Sequence, residues 1–154
     1  MTSTIDRRWV VFDSNVYVAS LREGIGGDAF ADLEALAPRT FLAAVVVAEL
    51  RRGARDEPAR RLVDQLVRRF ERVRRIVVPT AASWYGVGDV LAKLIRREPA
   101  MRAKVRGLWN DALIAMSARQ IGATVVTGNV DDFTLLRRYV RFEMRESPGP
   151  RRAP

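Results

Sequence analysis

The chain of 154 residues contains no cysteine and no histidine. Those two absences remove disulfides, thiolate nucleophiles, histidine general bases and the ordinary zinc and copper ligands together. Any catalysis has to run on carboxylates, hydroxyls, amides or amines. A side-chain metal site has to be built mainly from Asp and Glu, and oxygen-only coordination points to hard cations such as Mg²⁺ or Mn²⁺ rather than zinc. Long apolar runs are missing too. Trp9 to Phe12 is too short and too closely preceded by charge for a signal peptide, and no stretch approaches the ~20 apolar residues of a membrane span. The chain is therefore expected to be cytoplasmic, with no membrane partner. Neither a Walker loop nor a dinucleotide glycine fingerprint is present.

What remains is 48% hydrophobic and 29% charged, enough for one domain with a real core. The 27 Lys and Arg outweigh the 18 Asp and Glu, giving a formal charge of +9. Arginine pairs recur at Arg51-Arg52, Arg60-Arg61, Arg68-Arg69, Arg74-Arg75 and Arg96-Arg97. A polyanionic partner suits this balance, although a solvated arginine-rich surface explains any one pair equally well.

Hydrophobic patterning alternates short apolar runs with helical periods. Arg8 to Phe12, Thr40 to Val46, Arg75 to Val78 and Ala123 to Thr127 read as strands, and Tyr139 to Glu143 as a fifth at an edge. Helices are expected over Ser14 to Leu21, Ala29 to Leu36, around Glu49 to Gly53, over Glu57 to Phe70, through Trp84 to Arg97, and over Trp109 to Ile121 before Gly122. A short helix from Phe133 to about Arg137 follows a turn at Gly128 to Asp132. Residues 1–7 read as an N-terminal extension, 8–146 as the domain, and 147–154 as a disordered basic tail. The alternation predicts an α/β sandwich with a central parallel sheet of four to five strands. Ligands collect at the carboxyl ends of such strands, which makes the residues just after each strand the ones to inspect.

Asp13 ends the first strand, where it serves equally as a helix N-cap or as a catalytic acid, with Ser14 and Asn15 beside it to orient a carboxylate or a bound water. Glu49 shares a helical face with Val45 and Val46, an expensive place for a carboxylate unless it is paired or holds a metal. The plainer explanation is a head group reaching Arg51 or Arg52. Asp111 falls on a stripe with Ile114, Ala115 and Ala118, or else caps a helix after Gly107. Asp131 and Asp132 follow the fourth strand, where turn and cap chemistry explain one acid easily. Converging carboxylates with no lysine between them repel strongly unless a divalent cation neutralises them.

The segments Phe12-Asp13-Ser14-Asn15-Val16, Ala48-Glu49-Leu50 with Gly53, Asn110-Asp111-Ala112-Leu113-Ile114-Ala115 and Val126-Thr127-Gly128-Asn129-Val130-Asp131-Asp132-Phe133, in that order and spacing, resemble PIN-domain ribonucleases, and among them the VapC-like toxins of bacterial toxin–antitoxin pairs. The resemblance implies a PIN-like three-layer α/β/α sandwich. It implies Asp13, Glu49, Asp111 and Asp132 as catalytic, metal-holding acids, with Asp131 where the family demands none. Ser14, Asn15, Asn110, Thr127 and Asn129 would orient those acids or touch substrate phosphate.

On the same footing the chain is expected to be a Mg²⁺- or Mn²⁺-dependent endoribonuclease, in which Asp13, Glu49 and Asp111 hold one ion and Asp132 acts through water or on a second. Its partners would be RNA, a cognate VapB-like antitoxin and a second copy of itself. Arg22, Arg51, Arg52 and Arg106 are candidate RNA contacts, and Leu33, Leu36 and Trp84 candidate interface residues. The competing readings are a catalytically idle PIN module, a housekeeping RNA-processing nuclease, and an acid-cluster phosphatase or DNA nuclease. An Asp-x-Asp phosphatase is disfavoured because Ser14 and Asn15, not an acid, follow Asp13.

Overall fold

The strand at the centre of the sheet, β1 (Val10–Phe12), is only three residues long and all three are buried. A strand covered on both faces has no use for polar alternation, which is why its sequence is an unbroken apolar run. In this computed structural model, which describes residues 8–147, the strand is flanked on one side by β2 (Thr40–Ala43) and on the other by β4 (Thr124–Thr127). Val10 aligns with Thr40 and with Thr124, and Phe12 with Val126. β3 (Ile76–Val77) extends the sheet beyond β2, and β5 (Glu143–Glu146) beyond β4. Every pairing is parallel and the order is β3-β2-β1-β4-β5. The expected N-terminal extension and nearly all of the expected tail lie outside the described residues.

Parallel strands need crossovers, and helices supply them on both faces of the sheet, giving the α/β/α sandwich. α1 (Ser14–Glu23) and α2 (Asp28–Leu36) link β1 to β2. α3 (Ala44–Gly53) and α4 (Glu57–Arg72) lead to β3. α5 (Ala81–Arg97), the single turn α6 (Arg102–Val105) and α7 (Trp109–Gln120) cross back to β4, and α8 (Val130–Arg137) leads to β5. Phe12, Leu42, Ile114, Val125, Phe133 and Leu136 are fully buried and form the centre of the core. α7 presents Ala112, Ala115 and Ala118 inward, and these small side chains let it lie close over the sheet. Gly122 ends it with φ of 66°, a left-handed turn that glycine adopts without strain.

Of the boundaries that differ from the sequence expectation, three bear on the sheet and the residues at its carboxyl end. β2 stops at Ala43, and Val45 and Val46 are already helical. Their β-branched preference for strand is worth only tenths of a kcal/mol per residue and yields to complete burial of Val46 against the core. α8 begins at Val130 rather than Phe133, so both Asp131 and Asp132 lie in its first turn, where acids suit the helix dipole. β5 spans Glu143–Glu146 rather than Tyr139 to Glu143. Phe142 is spent on an edge-on contact with Phe133 in the core, and pairing with β4 starts only after it.

Candidate active site

The order β3-β2-β1-β4-β5 reverses direction between β1 and β4, so the carboxyl ends of these two strands form the crevice where α/β sheets take ligands. Asp13 stands at the end of β1 and is 4% exposed. Its Oδ1 accepts the Ser14 backbone N–H at 2.7 Å, so it does cap α1, while its Oδ2 accepts the Thr127 hydroxyl at 2.8 Å from the end of β4. The cap and the site are one residue. Burial raises the Asp13 pKa most, the Thr127 hydrogen bond opposes it, the negative charge of Glu49 raises it further, and the Ser14 hydrogen bonds lower it; the balance is upward.

Thr127 also accepts the Asn129 backbone N–H at 2.9 Å, and the Asn15 side chain accepts the Gly128 N–H at 3.3 Å. Thr127, Asn15 and Asn129 thus shape the β4–α8 turn and fix it to the start of α1. Ser14 is half-buried beside them.

Glu49 enters from the middle of α3, flanked by buried Val46 and Leu50. Its head group does not reach Arg51 or Arg52: Arg51 pairs instead with Asp64 at 3.2 Å on the surface. Asn110 donates to Glu49 Oε1 at 3.1 Å from the start of α7, which gives Asn110 its place in the site. Glu49 Oε2 is buried and has no hydrogen-bond partner. A buried carboxylate oxygen left unpaired carries a desolvation penalty of ~1–3 kcal/mol or more, since the group is charged.

Asp111 lies in the first turn of α7, but Leu108, not Asp111, occupies the cap position. The capping explanation for Asp111 is thereby removed. Its pKa is pushed up to about 8, first by burial, then by the charges of Asp13, Asp132 and Glu49 in that order, with Lys104 opposing. Only acids that stand close together act on one another in this way, so four acids from the end of β1, from α3, from α7 and from the first turn of α8 are gathered in one field.

The structure distinguishes Asp131 from Asp132. Asp131 is exposed. The side chain of Asp132 is 20% exposed, accepts from Asn129 Nδ2 at 2.9 Å and pairs with Lys104 Nζ at 2.5 Å. Lys104 and Asn129 hold the Asp132 pKa down against its partial burial. Lys104 corrects the expectation that no lysine stands among these acids. It sits on α6, a single turn with no periodicity to betray it.

As the side chains stand, no group of three or more acids among the described residues could hold a metal ion. The chemistry of the donors nevertheless fits a hard cation: every donor is oxygen, Glu49 keeps a buried oxygen unpaired, and Asp111 shares its field with the charges of Asp13, Asp132 and Glu49. Holding one requires the carboxylates to close in further than they do here. A surface cavity of ≈ 480 Å³ lies elsewhere, between α1, α2 and α4. It is lined by Tyr17, Leu21, Leu33, Leu62, Leu66 and Phe70 among others, and by none of the acids.

Residues 10–138 match the family model described as the PIN domain. No curated protein matches the chain's sequence. Among solved structures, the chain is similar to DNA-bound VapBC from Salmonella typhimurium, at 19% identity and a TM-score of 0.63 over 90% of this chain and 98% of that one. It is also similar to VapBC2 from Rickettsia felis bound to a DNA fragment from their promoter, at 20% identity and 0.61 over 89% and 97%. FitAcB from Neisseria gonorrhoeae is a third, at 24% identity and 0.57 over 88% and 95%.

Proposed function

The chain belongs to the PIN-domain family, and from that premise we propose that it is a Mg²⁺- or Mn²⁺-dependent endoribonuclease, the toxin of a VapBC-type toxin–antitoxin pair. The observation that carries the catalytic half is the unpaired, buried Oε2 of Glu49, within the field of Asp13 and Asp111 at the carboxyl ends of β1 and β4. A structural carboxylate would have found a donor; a ligand keeps an oxygen free.

Asp13, Glu49 and Asp111 are the residues that would hold the ion. When bound, a hard divalent cation lowers the pKa of a water ligand and offsets charge building on a phosphodiester. The chain's own residues do the rest. Thr127 and the Ser14 N–H fix the Asp13 carboxylate, and Asn110 fixes one oxygen of Glu49 while leaving the other available. Asp111, its pKa pushed up to about 8 by burial and then by the neighbouring acids, would have to be deprotonated to act as a ligand, which would couple metal loading to pH. RNA phosphates would meet exposed arginines such as Arg22 and Arg106, with salt-sensitive affinity. Arg51 is already engaged by Asp64.

The antitoxin half rests on the solved neighbours, VapBC and FitAcB, and on the groove between α1, α2 and α4. Leu21, Leu62 and Val73 are about half exposed along it, at 57%, 49% and 57%, an apolar lining suited to the nonpolar face of a partner helix. On α5, Trp84 and Tyr85 are 47% and 73% exposed and offer an aromatic surface for a second copy. No helix among the described residues is long and apolar enough to cross a membrane.

The deciding experiment is cleavage of a labelled RNA and a DNA of the same sequence by the purified chain. Cutting of RNA alone, supported by Mg²⁺ or Mn²⁺, stopped by a chelator and lost in Asp111→Asn, is expected. Cleavage that survives both chelation and Asp13→Asn would overturn the proposal.

A further inference from the structure

Lys104 places a positive charge where the acids gather, and its setting is built. The residues leading into α6 are tied to α8 at two points. Glu98, at the end of α5, accepts from Arg138 at 3.0 Å and from the Tyr139 hydroxyl, both just past α8. Lys104 itself grips Asp132 in the first turn of α8 at 2.5 Å. The segment between α5 and α7 is thus strapped along α8, and the strap carries the ammonium to the rim of the site.

The consequence is an uneven division of charge. Both oxygens of Asp132 are occupied, Oδ1 by Lys104 and Oδ2 by Asn129. Glu49 has a buried oxygen with no partner, and Lys104 gives its contact to Asp132 rather than to Asp111. Three acids, Asp13, Glu49 and Asp111, therefore share a deficit of positive charge, and the fourth has its own cation.

Resting on the metal-site reading above, we propose that Lys104 is an internal counter-cation standing in place of a second metal ion: the site takes a single divalent cation on Asp13, Glu49 and Asp111, while Asp132 is the partner of Lys104 and not a ligand. In two-metal sites the ions stand ~3.5–4 Å apart. An ammonium 2.5 Å from Asp132 takes the volume and the carboxylate that a second ion needs, and repels a dication brought beside it. Lysine suits this position because its charge is compact and its stem long enough to cross from α6. Its side chain is 45% exposed, so the charge is removable without opening the core.

The test is the number of Mn²⁺ ions bound by the full chain, counted by calorimetric titration and by electron paramagnetic resonance near neutral pH. Wild type is expected to bind one ion per chain. Lys104→Met, which keeps the stem and loses the charge, is expected to bind a second ion more weakly and to show spin coupling between the two. Lys104→Gln should behave like Lys104→Met, and Lys104→Arg should return to one. Two ions in wild type, or one ion in both uncharged variants, would overturn the proposal while leaving the metal site intact. No Mn²⁺ bound by wild type or by the uncharged variants would defeat the metal-site reading itself, and this inference with it. Asp111→Asn, expected to lose the first ion, tells specific binding from loose surface association.

Discussion

The Thr127 hydroxyl donates to the Asp13 carboxylate at 2.8 Å and joins the ends of two adjacent strands, although 114 residues separate the pair in sequence. Both groups are buried, and the same hydroxyl accepts the Asn129 N–H. Thr127→Val keeps the shape but removes the donor from Asp13 and the acceptor from Asn129. A loss of ~1–3 kcal/mol in urea denaturation is expected, together with a fall in RNA cleavage, whereas Thr127→Ser should retain most of both. An unchanged cleavage rate in Thr127→Val would mean that Asp13 needs no such support.

Asp111 is expected to dominate the pH dependence of stability measured in chelator. Its folded pKa of about 8 lies above the ordinary aspartate value of 3.8, so between those values the folded chain binds more protons than the unfolded one. Stability is then fully present below the lower value and is lost as pH rises towards about 8, with Asp13 acting in the same direction. Melting temperature should fall across that window in chelator. Asp111→Asn should flatten the profile and raise the melting temperature at alkaline pH by roughly 5 °C, equivalent to ~1–3 kcal/mol. A wild-type profile that stays flat in chelator would contradict the crowding of these acids.

Asn110 holds one oxygen of Glu49, so Asn110→Ala leaves that carboxylate with neither partner. Calorimetric titration should show Mn²⁺ affinity falling by about 10–100-fold, the usual effect of removing a group that orients a metal ligand. Affinity equal to wild type would assign Asn110 a purely local role.

Leu62 lies on α4 at the edge of the apolar groove and is 49% exposed. Leu62→Glu is expected to leave folding and RNA cleavage unchanged while weakening antitoxin binding at least 10-fold, read as growth arrest that the co-expressed antitoxin no longer relieves. Full relief would place the antitoxin elsewhere on the surface.

The sheet and most of its helices were legible because buried parallel strands have to be apolar and their crossovers have to be amphipathic. Val10 to Phe12 and Thr124 to Thr127 carry the first signal, and α7 carries the second together with its terminating Gly122. The misread boundaries of β2 and β5 share a cause: at Val45, Val46 and Phe142, intrinsic preference pointed one way and packing against the core decided otherwise. The anomalous acids were visible for the reason that makes them costly, a carboxylate on an apolar face. Lys104 was not visible, because a single turn has no period and an exposed lysine is the least remarkable residue on any surface. Tyr17 was also missed. Its hydroxyl is buried without a partner beside the groove, and nothing in the α1 sequence marks it.

The two margins of the sheet bear on how copies of the chain can associate. β3 offers only Ile76 and Val77, and β5 offers Glu143, Met144, Arg145 and Glu146, with Arg145 clamped to Asp32 of α2 at 2.8 and 2.9 Å. One margin is too short to template a further strand and the other is studded with alternating charge, two common defences against runaway strand pairing. The molecule is thus guarded against fibre-like growth. Among the described residues, helical faces rather than strand edges are the surfaces suited to specific assembly, and assembly through them does not need the carboxyl ends of β1 and β4.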